Sequence, residues 1–254
     1  MTMSKIALIT GATSGIGRAT AISLAKEKFN LIVTGRRSHL LTSLANDIEN
    51  DYGVRVLPLV FDIRDYNDVV DKICKLDPDW SNIDVLINNA GLAVGLNPLD
   101  SGIIDDWERM IDTNIKGLLY VSRIISETMK KRGSGHIINV GSIAGKSVYP
   151  NGNVYCATKY AVDALSKSMM MDLHIHNVKV SQICPGAVET EFSRVRFKGD
   201  NEKASNVYKG FEPLTAEDIA EVIRYMVMAP SHVNISDVVV MPLAQASPSI
   251  IHKK

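Results

Sequence analysis

Tyr155 and Lys159 stand four residues apart in the stretch Asn153-Val154-Tyr155-Cys156-Ala157-Thr158-Lys159. On a helix that spacing puts a phenol and an amine on one face. The continuation Tyr160-Ala161-Val162-Asp163-Ala164-Leu165 is rich in helix formers with apolar residues at helical spacing, so a helix is expected here. A positive charge beside a phenol favours the phenolate. A tyrosine with an ordinary pKa of about 10 would thereby move toward working pH and serve as general acid or base. Taken alone, a surface Tyr and Lys with no shared task would show the same pattern. Upstream, Ser142 in Asn139-Val140-Gly141-Ser142-Ile143-Ala144-Gly145 offers a hydroxyl that can donate to a carbonyl and stabilise developing alkoxide charge.

Groups this far apart need a frame to bring them together. Apolar runs suited to strands occur at residues 5–10, 30–35, 54–61, 85–88, 136–140, 178–184 and 238–241. Amphipathic helical stretches lie between them, at 15–28, 38–52, 66–76, 105–132, 154–176 and 215–229. Near-continuous apolar strands separated by helices predict a parallel sheet covered on both faces. The expected fold class is α/β, a doubly wound seven-stranded parallel sheet. With no repeat, low-complexity tract or linker-like run, residues 1–254 are expected to form a single domain.

The first strand runs into Thr10-Gly11-Ala12-Thr13-Ser14-Gly15-Ile16-Gly17 and then a helix. Strand, glycine turn and helix is the context of a dinucleotide site, where bare backbone approaches a pyrophosphate at a positive helix end. The second strand ends Val33-Thr34-Gly35-Arg36-Arg37. NAD-binding folds place an acidic residue about 20 residues beyond the glycines, to hold the ribose 2′-hydroxyl. Arginines there would instead hold a 2′-phosphate through a planar fork, which favours NADP(H), with Arg36 ahead of Arg37. Asp62 after the third strand could accept from an adenine amino group, and Asn89-Ala90-Gly91 after the fourth could let adenosine pack on backbone. Turn formation alone would also explain both. Asn114 falls inside a predicted helix, where asparagine is intrinsically poor, and exposure would account for it equally well.

Composition narrows the function class. Basic and acidic residues number 28 each, so nothing favours nucleic acid or an anionic membrane as partner. Three cysteines without metal-ligand spacing read as reduced thiols, and no metal site is expected. No signal-peptide core and no apolar run long enough for a membrane span are found, so a soluble, cytoplasmic protein is expected.

Thr10 to Gly17, Asn88 to Gly91, Asn114, Ser142, Tyr155-x-x-x-Lys159 and Pro185-Gly186 together resemble the short-chain dehydrogenase/reductase family, in its order and spacing over nearly the whole chain. The resemblance implies that Tyr155 exchanges a proton with the substrate oxygen. Lys159 would bond the nicotinamide ribose and lower the tyrosine pKa, Ser142 would orient the carbonyl, and Asn114 would hold a relay water. Pro185, Gly186, Val188 and Thr190 would flank the nicotinamide. A homotetramer is implied as well. More narrowly, Gly186 through Asp200, Tyr149-Pro150 and Gln245-Ala246-Ser247-Pro248 are similar to NADP-dependent 3-hydroxy acid dehydrogenases, which act on serine, allo-threonine and related acids. A substrate lid is expected at about residues 187–212, in which Arg194, Arg196 and Lys198 could meet a carboxylate. Arg196 is the chosen carboxylate contact, and Ser142, Tyr149 and Tyr155 are the other expected substrate residues. Reduction of another carbonyl (a sulfonated aldehyde, ketone, sugar or 3-ketoacyl chain) is the alternative, and a non-catalytic NADP-sensing protein the alternative from another class.

Overall fold

The computed structural model describes residues 4–254. Its strands are β1 (Ile6–Ile9), β2 (Asn30–Gly35), β3 (Val56–Val60), β4 (Val85–Asn88), β5 (Gly135–Val140), β6 (Val178–Pro185) and β7 (Asp237–Val240). They form one parallel sheet in the order β3-β2-β1-β4-β5-β6-β7. The helices are α1 (Gly15–Lys26), α2 (Ser38–Tyr52), α3 (Tyr66–Cys74), α4 (Pro78–Ser81), α5 (Ile104–Ile111) and α6 (Leu118–Arg132). After them come α7 (Asn153–Leu173), α8 (Phe192–Arg196), α9 (Asn201–Asn206) and α10 (Ala216–Met228).

Successive residues of a strand point to opposite faces, so a wholly apolar strand must bury both. On β1, Ala7 and Ile9 pack with Leu24 of α1, Leu41 and Ile48 of α2, and Ile219 and Ile223 of α10. Ile6 and Leu8 face the other way, onto Val69 of α3, Ile125 and Met129 of α6, and Leu173 of α7. Each of the larger aliphatic side chains among them contributes about 1.5–3 kcal/mol when fully buried. The two cores clamp the sheet between helical layers and fix where its strands end. Strand order reverses between β1 and β4, and the crevice beyond their carboxyl ends is where a doubly wound sheet takes its ligand.

The expected doubly wound sheet is therefore present, with strand ends shifted by a residue or two. The helix expected over 105–132 differs: Asp112–Gly117 forms a π-helical turn joining α5 to α6. Asn114 sits in that turn, and wide turns of this kind re-aim residues where a straight helix would not. The short helices α4, α8 and α9 escape prediction because one or two turns carry no readable periodicity. Among the described residues no helix is long and apolar enough to cross a membrane. The three cysteines are free thiols, with Cys156 and Cys184 buried.

Candidate active site

Tyr155 and Lys159 lie in the first two turns of α7 and are both buried against the carboxyl end of β5. Lys159 Nζ donates to the Val140 carbonyl at 2.9 Å and sits 6.0 Å from the centre of the Tyr155 ring. Ser142 leaves β5 in extended conformation and caps the short turn Ile143–Gly145, its Oγ accepting from the Ala144 N–H at 3.1 Å. Asn114 is buried, so exposure does not explain it. Its Oδ1 accepts from Leu92 N at 2.8 Å, while Nδ2 donates to Leu92 O at 2.8 Å and to Thr158 Oγ1 at 3.0 Å. Space beside these groups is tight: a Cβ on Gly91 would stand 3.3 Å from Asn114 Oδ1, which would have to give by a few tenths of an ångström, and 3.6 Å from Lys159 Nζ.

Around Tyr155, desolvation outweighs the nearby charges. Burial pushes the Tyr155 phenol up, Tyr149 adds to the rise, and the Ser142 hydroxyl and the Arg196 charge only oppose it. Burial also draws Lys159 down to about 8. The amine is bonded to a neutral carbonyl rather than to the phenol, so desolvation disfavours the charged form of each group separately.

A cleft of about 380 Å³ opens over the β1 and β4 ends, lined by Gly11, Thr13, Ser14, Gly15, Ile16, Ala90, Gly91 and both arginines, Arg36 and Arg37. Gly11 has φ +66°, and a Cβ there would meet Ala90 Cα at 2.9 Å; one on Gly17 would meet Asn89 Nδ2 at 2.5 Å. Asn89 Nδ2 donates to the carbonyls of Thr10 and Gly11, at 2.9 and 3.1 Å. Asn89 thus ties the glycine loop to β4, a structural bond that its expected cofactor role does not mention. Ser14 precedes α1 without capping it by its side chain. Its hydroxyl accepts from Arg37 Nη2 at 3.0 Å, and Thr13 Oγ1 from the same nitrogen at 2.7 Å. Arg37 also pairs with Glu191 at 3.0 Å. Arg36 is freer, its side chain 61% exposed and 3.8 Å from Asp62. The Asp62 carboxylate is engaged on both oxygens by Arg64, at 3.0 and 2.6 Å, and that guanidinium holds its pKa below the usual range. Arg64 escapes a reading of the sequence because nothing in the glycine motif points to it.

A second cavity of about 360 Å³ adjoins the first, with Ser142, Tyr155 and Lys159 on its wall beside Tyr149, Pro185, Gly186, Val188, Thr190 and Arg196. Thr190 closes on the glycine loop, 3.2 Å from where a Gly15 Cβ would stand. Arg196 Nη2 donates to the Tyr149 hydroxyl at 2.7 Å, and its guanidinium lies 5.3 Å from the Tyr149 ring centre and 5.6 Å from that of Tyr155. Its Nε is buried without a hydrogen-bond partner. Arg194 and Lys198, expected with it, do not line the cavity: Arg194 is exposed and Lys198 pairs with Asp106 at 2.8 Å. Tyr208 and Gln245 also shape the wall. Tyr208 donates to Val188 O at 2.8 Å, and Gln245 Oε1 accepts from Ala187 N at 2.8 Å. Tyr208 falls in the expected lid and Gln245 in the C-terminal stretch likened to the 3-hydroxy acid dehydrogenases, but nothing in the sequence assigns either side chain to the cavity wall. The C-terminal residues fold back so that Pro248 and Ile251 complete the cavity.

Residues 5–201 match the family model for short chain dehydrogenase. The chain is 45% identical over 242 residues to NADP-dependent 3-hydroxy acid dehydrogenase YdfG of Salmonella typhi, covering 95% of this chain and 96% of that one. It is 42% identical over 251 residues to the NADP-dependent 3-hydroxy acid dehydrogenase of Schizosaccharomyces pombe, covering 98% and 97%. Among solved structures, the closed form of a serine dehydrogenase complexed with NADP+ superposes with a TM-score of 0.92 at 41% identity, over 98% of this chain and all of that one.

Proposed function

This chain belongs to the short-chain dehydrogenase family, and on that premise we propose that it is an NADP-dependent oxidoreductase interconverting a small 3-hydroxy acid and its carbonyl form. The observation that carries the substrate class is Arg196, whose guanidinium lies 5.3 and 5.6 Å from the centres of the Tyr149 and Tyr155 rings, lines the cavity that holds the reacting groups and has a buried Nε without a partner. A buried donor without a partner costs about 1–3 kcal/mol, and a carboxylate would relieve that cost with a charge-assisted bond. Serine, allo-threonine and 3-hydroxypropionate each carry a carboxylate two bonds from the hydroxyl-bearing carbon.

The residues at the cleft fit the cofactor. Gly11, Gly15, Ile16, Gly17, Ala90 and Gly91 would admit its backbone-hugging pyrophosphate and adenosine, next to the start of α1. Arg36 and Arg37, with the hydroxyls of Thr13 and Ser14, would hold the 2′-phosphate. Pro185, Gly186, Val188 and Thr190 would bracket the nicotinamide end, with Lys159 near its ribose. When bound, the cofactor supplies the hydride acceptor or donor for the substrate carbon.

On the protein's side, Ser142 and Tyr155 would share the substrate oxygen, Ser142 as orienting donor and Tyr155 as the group that exchanges its proton. A phenol kept neutral by burial is ready to donate in the reductive direction. In the oxidative direction it must first lose its proton, and a charged Lys159 would favour that loss. A pKa near 8 lets Lys159 itself take up or release a proton close to neutrality. Asn114, held on three bonds next to it, would order the path to solvent.

Residues 1–254 act as one domain in this reading, with a lid at about 187–212. Exposed Ile104, Tyr160 and Met171 on α5 and α7 support a homo-oligomer, by family analogy a tetramer. Free thiols support the cytoplasm. The test is nicotinamide absorbance with NADP+ and then NAD+, offering L-serine, allo-threonine, 3-hydroxypropionate and a simple secondary alcohol. Turnover of the acids with NADP+ alone supports the proposal, and turnover of only the alcohol overturns its substrate class.

A further inference from the structure

We infer that Asp106 and Lys198 form a latch that docks the end of α8 onto α5 and so positions Arg196 over Tyr155. The inference rests on Arg196 being the carboxylate contact. Asp106 lies on α5, outside the reacting groups, and only 3% of it is exposed. A buried carboxylate is stable as an anion only with a counter-charge. Lys198 Nζ supplies one at 2.8 Å, and Asp106 Oδ2 has no hydrogen-bond partner besides this ionic contact. The cation therefore comes from the segment over the cavity, while the anion belongs to the fixed body.

Backbone conformation gives an independent indication. Lys198 has φ +53° and is followed by Gly199 at +91°. A left-handed residue is one that glycine fills without steric cost, whereas lysine is strained there. A lysine that accepts the strain puts its amine on Asp106. Two residues earlier, the Arg196 carbonyl accepts from Gly95 N at 3.0 Å, and a Cβ on Gly95 would stand 3.0 Å from Asp106 Oδ2. Asp106, Gly95 and Lys198 thus hold the chain at the Arg196 carbonyl and two residues beyond it. Without the latch, Arg196 keeps its Tyr149 bond and its carbonyl's bond to Gly95 N but loses the ionic anchor two residues on, which holds the segment down over the phenol. Arg194, exposed on the same helix, makes no such contact.

Asp106 and Lys198 are positioning residues, so the effect belongs in substrate affinity rather than in the chemical step. For Asp106→Asn and Lys198→Ala we expect KM for the 3-hydroxy acid to rise about tenfold, the equivalent of about 1.4 kcal/mol in the docked state. Saturating kcat should stay within about twofold and KM for NADP+ should not move. Lys198→Arg should restore KM. A readout independent of turnover is tryptic cleavage after Arg194, left intact in Asp106→Asn: it should quicken as the segment undocks. Lys198 is half exposed, so Lys198→Ala tests the latch even if Asp106→Asn fails to fold. Unchanged KM in Lys198→Ala with unchanged cleavage in Asp106→Asn overturns the latch, as does an equal rise in KM for NADP+. Failure of the wild type to oxidise any 3-hydroxy acid would instead sink the substrate class, and proteolysis would still decide the latch.

Discussion

Replacing Arg196 with Gln removes the charge and the fork while keeping a polar side chain able to reach toward Tyr149. In the native protein the guanidinium spends Nη2 on the Tyr149 hydroxyl at 2.7 Å and leaves Nε unpartnered and buried. A substrate carboxylate taken up there gains a hydrogen bond from a charged donor, worth about 1.5–3 kcal/mol. At about 4 Å and a surface-like dielectric the bare Coulomb attraction is about 4 kcal/mol, which bounds the effect before desolvation is subtracted. At about 1.4 kcal/mol per factor of ten, kcat/KM for a 3-hydroxy acid should fall about 10- to 150-fold. The loss should sit mainly in KM, because the carboxylate is bound equally in ground and transition states. A neutral secondary alcohol lacks the carboxylate, so whatever slow turnover it shows should be unaffected. Arg196→Lys should recover only part of the loss, since one ammonium cannot reproduce a fork that serves Tyr149 and substrate together. Initial rates against substrate concentration, read from nicotinamide absorbance, decide it. Equal losses for acid and alcohol would refute a specific carboxylate contact and reassign Arg196 to cavity structure.

Arg36, more open than Arg37 and only 3.8 Å from Asp62, is the residue with charge to spare for a 2′-phosphate. Arg36→Ala should raise KM for NADP+ by about tenfold and leave KM for NAD+ alone, the low end of what a hydrogen bond between charged groups contributes; parallel titrations with the two cofactors check this. Stability should also carry a His136 signature. His136 is buried on β5 with Nε2 2.8 Å from Ser181 Oγ and Nδ1 unpartnered, and burial draws its pKa to about 3. Between about 6.5 and 3 the unfolded chain therefore binds a proton that the folded chain refuses, so stability falls as pH drops through that window. The melting temperature of His136→Gln should fall less steeply with acid than that of the wild type, and parallel curves would contradict the assignment.

The parts of the site that share a sequence neighbourhood were legible in the chain. Tyr155 and Lys159 are readable because helical spacing puts them on one face, and the glycine loop because its position between strand and helix has a stated physical use. The doubly wound sheet followed from strands apolar on both faces. Less legible were relations between distant segments. Asp62 is expected as an adenine acceptor, but its bidentate pair with Arg64, which leaves further lone pairs on both oxygens, has no signature in the sequence. Lys198 looked like a cavity cation, yet its left-handed backbone turns it to Asp106. Charge on a lid can be counted from sequence, but where each charge points depends on a turn that one residue's φ decides. The electrostatic balance of Tyr155 and Lys159 was unreadable for the same reason. Proximity predicts a lowered phenol pKa, whereas burial, which only the packed structure reveals, raises it.

The most direct test of the central claim compares wild type with Tyr155→Phe under NADP+ and a 3-hydroxy acid. The substitution removes one hydroxyl and keeps the ring that stacks edge-on against Phe192 at 5.7 Å. Turnover should fall by about 10²- to 10⁴-fold, the range of a positioned acid or base, while NADPH binding, followed by its fluorescence, stays within about twofold. Undiminished turnover in the phenylalanine variant would contradict the assignment of Tyr155 as the group that exchanges the substrate's proton.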